Sequence, residues 1–277
     1  MTALLATTAA AVFGCADFLG GVASRKASAL SVSAVSQAVS LLLLLPALFL
    51  FPAESVTARD IGLGALGGLF GGLGVAALYA GLAAGRMGVV TPITAALAAS
   101  IPAALDFAMG TSPRVLGVVG LVLAVVAIVV VSTSRHGAEK TSMRALGLSV
   151  LAGTMFASFF IVISFTEPAS GLWPLLGARL ASVPFLTALA LLRGGGLKIP
   201  RQALLATLGA GVLDMAANVA LLAALRSGPL AVASVLSSLY PVATVLLARF
   251  VLGEHMSRTQ RAGIALAMVA VVLASLG

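Results

Sequence analysis

Four ionisable side chains, Asp17, Asp106, Arg179 and Asp214, fall inside long apolar runs of the 277-residue chain. Near the centre of a bilayer such a group costs roughly 2.5–3.5 kcal/mol, so it turns toward a bundle interior, where proton, ion and substrate sites are built. Asp214 has Asn218 four residues on. That spacing puts a carboxylate and an amide on one helix face, a combination that holds an amine or a proton or simply ties two helices together. Asp17 follows Phe13-Gly14-Cys15, whose small residues leave room for a cavity. Its competing reading is an acid that snorkels or pairs helices near Arg25. Arg179 cannot give up its charge, so it needs a carboxylate, either Asp214 or Asp17. A static structural pair is favoured slightly over a salt bridge that opens for a substrate carboxylate.

Asp106 stands a few residues from the end of its run and reads first as an interfacial acid. With Arg249, which matches it in the repeat described below, it also offers a cross-repeat gate. Pro102 and Pro241 are placed to bend the two helices that would carry such a gate. Phe156, Phe159 and Phe160 cluster within five residues; packing against lipid or core is favoured over lining a cavity. Trp173 reads as an interfacial anchor. Gly64, Gly68 and Gly72, and likewise Gly67 and Gly71, recur every fourth residue, a spacing that lets helix backbones pack closely, within the chain rather than in a dimer. His136 and His255 are not spaced as metal ligands, and the sequence has no Gly-rich phosphate loop followed by Lys, so neither a metal centre, a cofactor nor ATP-driven chemistry is expected.

These side chains need a particular scaffold. Apolar residues make up 61% of the chain and charged residues 9%, with a mean hydropathy of +1.18. A soluble domain needs far more polar surface than that. A soluble enzyme, a nucleic-acid-binding domain and a disordered chain are excluded, and the net charge of +8 is scattered singly rather than gathered into a patch. One cysteine, Cys15, excludes an internal disulfide. A membrane-crossing helix takes about 20 mostly apolar residues. The runs between charged or Gly/Pro punctuation give ten spans, 2–23, 30–51, 61–84, 88–109, 115–133, 145–165, 172–192, 202–225, 229–251 and 262–276. The first reads as structure rather than a secretory signal, because no Lys or Arg precedes it. The fold class is therefore all-α integral membrane, and period-2 alternation, the mark of a barrel, is missing.

The chain repeats itself at a constant, ungapped offset: Phe13 falls on Phe156, Gly68 on Gly211, Ala80 on Ala223, Gly85 on Gly228, Gly110 on Gly253 and Gly120 on Gly263. Each half, 1–139 and 140–277, holds five spans. An odd number sends the second half into the membrane from the opposite side, which makes an inverted repeat of the kind alternating-access transporters use.

Residues 226–263 carry Ser-Leu-Tyr-Pro at 238–241, Leu-Gly-Glu at 252–254 and Gly263 opening the last span. This stretch resembles the EamA-type family of the drug/metabolite transporter superfamily, with a weaker copy in the first half at Gly85 to Val89, Pro102, Gly110 and Gly120. The first half departs from the pattern, with Thr111 where the second has Glu254, and Glu254 itself reads as a solvated loop acid pairing with Arg258. The resemblance implies ten spans, small-molecule transport and both termini in the cytoplasm. The charge count implies the reverse orientation. Loops after odd-numbered spans hold twelve Lys and Arg, from Arg25 and Lys26 to Arg258 and Arg261, while the termini and other loops hold Arg59, Arg114 and Arg226.

The reading is a secondary transporter, not an enzyme, in a bacterial-type inner membrane. Its partners are the lipid bilayer and a small molecule, with no nucleic acid, and it is a monomer or homodimer. Three intramembrane acids against one arginine favour a cationic or zwitterionic substrate exported in exchange for protons, with Asp214 as the coupling acid and Asp17 second. Uptake of a small metabolite, and a non-transporting scaffold or lipid-handling protein, are the rivals; a scaffold has no need of three buried acids.

Overall fold

The computed structural model describes residues 1–84, 87–111, 115–132, 142–194, 196–251 and 257–276. Gly85, Gly253, Glu254, His136 and His255 lie outside them. Among the described residues the chain is all helical. It runs α1 Thr2–Ser24, α2 Ala29–Leu50, α3 Ala58–Ala84, α4 Met87–Ala108, α5 Val115–Ser132, α6 Met143–Ser164, a 3-10 turn at Pro168–Ser170, α7 Trp173–Leu192, α8 Arg201–Arg226, α9 Leu230–Ser237, α10 Tyr240–Val251 and α11 Arg258–Leu276. Among the described residues, seven helical stretches are long and apolar enough to cross a membrane: α1, α2, α3, α6, α7, α8 and the stretch Leu230–Val251 that joins α9 to α10. α4, α5 and α11 contribute shorter apolar stretches, Ile93–Ala108, Val115–Val130 and Arg261–Ala270. Large apolar side chains cover the outside of the bundle, among them Leu42, Leu45 and Phe49 on α2 and Val115, Val119 and Val122 on α5. In water such a surface would aggregate; in a bilayer it is the solvated face.

The ninth expected span is broken, and Pro241 explains where. Proline has no N–H to give the carbonyl four residues back, and its ring crowds that carbonyl. The helix stops at Ser237, and α10 opens at Tyr240. The joint is held by tight turns, Leu239 N–H to the Leu236 carbonyl at 3.2 Å and Val242 N–H to the Leu239 carbonyl at 3.0 Å. Pro102, by contrast, lies inside α4 without ending it.

Helix packing follows the small residues. α1 lies against α8, α3 against α6 and α7, α2 against α7 and α8, α4 against α6 and α9, α1 also against α9 and α10, and α5 against α11. Gly64, Gly68 and Gly72 meet successive turns of α7 at Pro174, Ala178 and Ser182, so close that no Cβ fits at the first two without moving backbone. Gly67 and Gly74 face the phenylalanines of α6 instead. The glycine spacing thus serves packing within the chain. Gly68→Ala is expected to destabilise the protein by about 1–3 kcal/mol through overpacking. Gly62→Ala, where a Cβ meets nothing within 4 Å, should stabilise by roughly 0.5–1 kcal/mol from helix propensity. Thermal unfolding of the two variants in one detergent checks both signs.

At the end of the bundle that carries the amino terminus, Arg226 clasps the loop between α6 and α7. Its guanidinium donates to the Gly171 carbonyl at 2.7 Å, the Glu167 carbonyl at 3.0 Å and Ser170 Oγ at 3.0 Å. Asp60, at the start of α3, holds the same loop by accepting the Glu167 N–H at 2.8 Å. One buried aspartate therefore joins the α2–α3 end to the α6–α7 loop.

Candidate functional site

A cavity, partly open to the outside, lies in the middle of the bundle. α1 supplies Phe13 and Asp17, α2 Gln37, α3 Gly71 and Val75, α6 Phe156, Phe159 and Phe160, α7 Arg179, α8 Asp214 and Asn218, and α10 Tyr240. Four pairs of these residues stand at the repeat offset: Phe13 with Phe156, Asp17 with Phe160, Gly71 with Asp214, and Val75 with Asn218.

The polar wall is built around Asp214. Its Oδ2 receives Arg179 Nη2 at 2.6 Å, a buried ion pair in which the two residues are 8% and 3% exposed. Burial makes this pair costly to form and costlier to break. The same oxygen lies 3.0 Å from Ser40 Oγ and 3.5 Å from Gln37 Nε2, and Ser182 Oγ donates to Gln37 Oε1 at 3.1 Å. The network therefore ties α2 to α7 and α8. Of the two expected partners for Arg179, the structure selects Asp214. Arg179 Nε has no hydrogen-bond partner among the described residues.

Asn218 does not hold the Asp214 carboxylate. Its Nδ2 donates to the Asp214 backbone carbonyl at 2.8 Å, the local i to i−4 bond that short polar side chains make in helices.

Asp17 is the opposite case. It is 7% exposed and lines the cavity, yet it makes no hydrogen bond or ion pair with a described residue. It lies within electrostatic reach of Asp214, Tyr79 and Tyr240. The Tyr79 phenol packs so closely on Gly20, one turn beyond Asp17, that no Cβ fits there. Arg25 is exposed at the helix end. The reading of Asp17 as a snorkelling acid gives way to a buried carboxylate inside the bundle.

Asp106 does not line this cavity. It is 8% exposed, so this acid near the end of α4 is buried against the protein. Its Oδ2 accepts the Ala231 N–H at 2.8 Å and its Oδ1 the Thr111 hydroxyl at 3.0 Å. It caps the first turn of α9 from a neighbouring helix, where a carboxylate is favoured by the exposed N–H groups. Arg249 is exposed at the end of α10, and both Asp106 oxygens are already engaged. The count of three cavity acids therefore falls to two, Asp17 and Asp214, and Arg179 balances one of them.

Phe159 and Phe160 belong to the buried core and Phe156 packs against it, the core packing favoured from the sequence. Phe156, Phe159 and Phe160 all line the cavity, with the Phe159 and Phe160 rings 6.1 Å apart at 59°. Gln37, Ser40, Ser182 and Tyr240 were not anticipated. α2 does carry a signal: Ser33, Ser36, Gln37 and Ser40 fall at helical spacing in an otherwise apolar run, a polar stripe that must face inward. Tyr240 carried none beyond the Ser-Leu-Tyr-Pro motif.

Residues 143–276 match the family model described as the EamA-like transporter family. No curated protein matches. A solved structure described only as "Crystal structure of protein" is similar with a TM-score of 0.76 at 15% identity, covering 99% of this chain and 96% of that one. It shares the fold over essentially the whole length.

Proposed function

We propose that this chain, whose residues 143–276 match the EamA-like transporter family of the drug/metabolite transporter superfamily, exports a small amine-bearing cation or zwitterion in exchange for protons. The observation that carries this reading is Asp17: a buried carboxylate with no hydrogen-bond or ion-pair partner among the described residues, facing a cavity walled by aromatic rings. A protonated amine supplies the missing charge, and ring faces attract the same cation. When no amine is bound, a proton neutralises the carboxylate. One acid that takes either occupant, but not both, couples the two fluxes.

The architecture we propose is ten spans in two inverted five-helix halves, 1–139 and 140–277, with the cavity on the axis between them. Three features support it. The cavity residues come in offset pairs. The helix contacts exchange: α1 with α8 mirrors α6 with α3, α2 with α8 mirrors α7 with α3, and α1 with α10 mirrors α6 with α4. The broken ninth span and the clasp made by Arg226 and Asp60 provide places to bend and to part. The positions matching Arg226 and Asp60 in the repeat are Ala83 and Ala203, so these two positions do not build the same clasp a second time. We place the protein, as a monomer or homodimer, in a bacterial-type inner membrane.

Proteoliposomes test the reading. Protein reconstituted with an imposed pH gradient should drive countertransport of radiolabelled phenethylamine, and collapsing the gradient with nigericin should abolish it. Amine flux that ignores the gradient removes proton exchange from the proposal; no flux of any amine removes the substrate class.

A further inference from the structure

Three of the four offset pairs that line the cavity are chemically unequal: Asp17 stands against Phe160, Asp214 against Gly71, and Asn218 against Val75, while Phe13 and Phe156 put a ring on each side. The α1/α8 wall holds both carboxylates, the amide and Phe13, and the α3/α6 wall holds three rings, Val75 and one residue with no side chain. A molecule seated between them has its head on α1 and α8 and its apolar body on α3 and α6.

We propose that Gly71 sets the size limit on that apolar body. The other glycines near it on α3 are required by packing. A Cβ on Gly72 would stand 2.9 Å from Ser182 Cβ, and on Gly74 2.7 Å from the Phe156 ring. At Gly71 the nearest atoms to a built Cβ are those of the Phe159 ring at 3.5 Å, ordinary contact. The helix therefore admits a side chain at this position, and beyond that Cβ lies the cavity. A glycine inside a helix weakens it, and packing does not demand this one. Omitting the side chain leaves space for a ligand beside Phe159, opposite the Asp214 carboxylate. The inference rests on the proposed amine site for the head, and on the lining geometry alone for the body.

Binding to the purified protein in detergent tests it by calorimetry, with benzyl, 1-naphthylmethyl and 1-pyrenylmethyl bodies, each carrying either an ammonium or a carboxylate head. One extra or missing carbon in an apolar pocket changes discrimination by roughly 10–200-fold. Gly71→Leu is expected to weaken pyrenylmethyl binding by at least about tenfold, while benzyl binding changes by less than about twofold. Gly71→Ala should fall between. Thermal unfolding of both variants should be no lower than that of the unaltered protein, and slightly higher from helix propensity. A change that is equal for all three bodies, or no change, overturns the role of Gly71. The heads decide the amine reading separately. Preference for carboxylates with the size trend intact rejects amine recognition and keeps Gly71; ammonium preference without the trend does the reverse. Absence of binding by all six probes overturns both.

Discussion

Replacing Asp214 with asparagine should cost about 3–5 kcal/mol of stability, read as a lower unfolding midpoint in detergent. Asparagine keeps the shape, and it can still meet Ser40 and Gln37. It cannot balance the guanidinium of Arg179, which is 3% exposed and pairs with Asp214 at 2.6 Å. Arginine does not escape by losing its proton, so the variant strands a buried charge. Arg179→Met should cost a similar amount for the reciprocal reason. The double variant Arg179→Met/Asp214→Leu removes both charges and should recover most of the loss, because an apolar pair of similar volume often matches or exceeds a buried ion pair. If Asp214→Asn is as stable as the unaltered protein, the pair contributes nothing to the fold, and Asp214 returns as a candidate coupling acid. Under the expected result, lost transport in Asp214→Asn reports a collapsed site rather than a lost proton. The sequence ranks Asp214 first as the coupling acid; because it is paired with Arg179, we assign that role to Asp17 in the proposed mechanism.

What the sequence conveyed and what it hid divide along physical lines. Arg179 in an apolar run had to find a carboxylate, and it did. Pro241 had to interrupt its helix, and the break falls immediately before it. Rows of glycine at every fourth position had to meet other backbones closely, as Gly64 and Gly68 meet α7. Each of these follows from a local steric or electrostatic demand. The phenylalanines of α6 illustrate the limit. Spacing shows that Phe156 and Phe160 share a face, but in a helix apolar all round nothing local says whether that face meets lipid or a cavity. Asp106 is similar. Its closeness to a helix end was legible, whereas the N–H it caps belongs to Ala231, more than a hundred residues away. Asn218 lines the cavity beside Asp214, as its spacing implies, but the spacing does not show that a nearby backbone carbonyl takes its amide N–H. The polar stripe of α2 could have been found and weighed, since Ser33, Ser36, Gln37 and Ser40 need partners in any apolar surround.

Asp17→Asn is expected to separate function from folding where Asp214→Asn does not. Asp17 is buried and has no hydrogen-bond or ion-pair partner among the described residues, so removing its charge strands none of them. It also relieves the repulsion from Asp214, and stability should stay level or rise. Function should respond strongly. A hydrogen bond to a charged group contributes about 1.5–3 kcal/mol, so losing the carboxylate should weaken ammonium binding by roughly 10–100-fold, each 1.4 kcal/mol being a factor of ten. Proton exchange should fail outright, because asparagine does not titrate. In proteoliposomes, the variant should bind neutral aryl probes as before and show no amine flux driven by a pH gradient. Asp17→Glu keeps the charge and should retain part of the flux, which a purely structural role for Asp17 would not require. If Asp17→Asn still exchanges amine for protons, the coupling acid lies elsewhere and the unpaired carboxylate is a packing feature of α1. If its unfolding midpoint falls as far as that of Asp214→Asn, Asp17 has a structural partner, and loss of flux no longer identifies it as the coupling site.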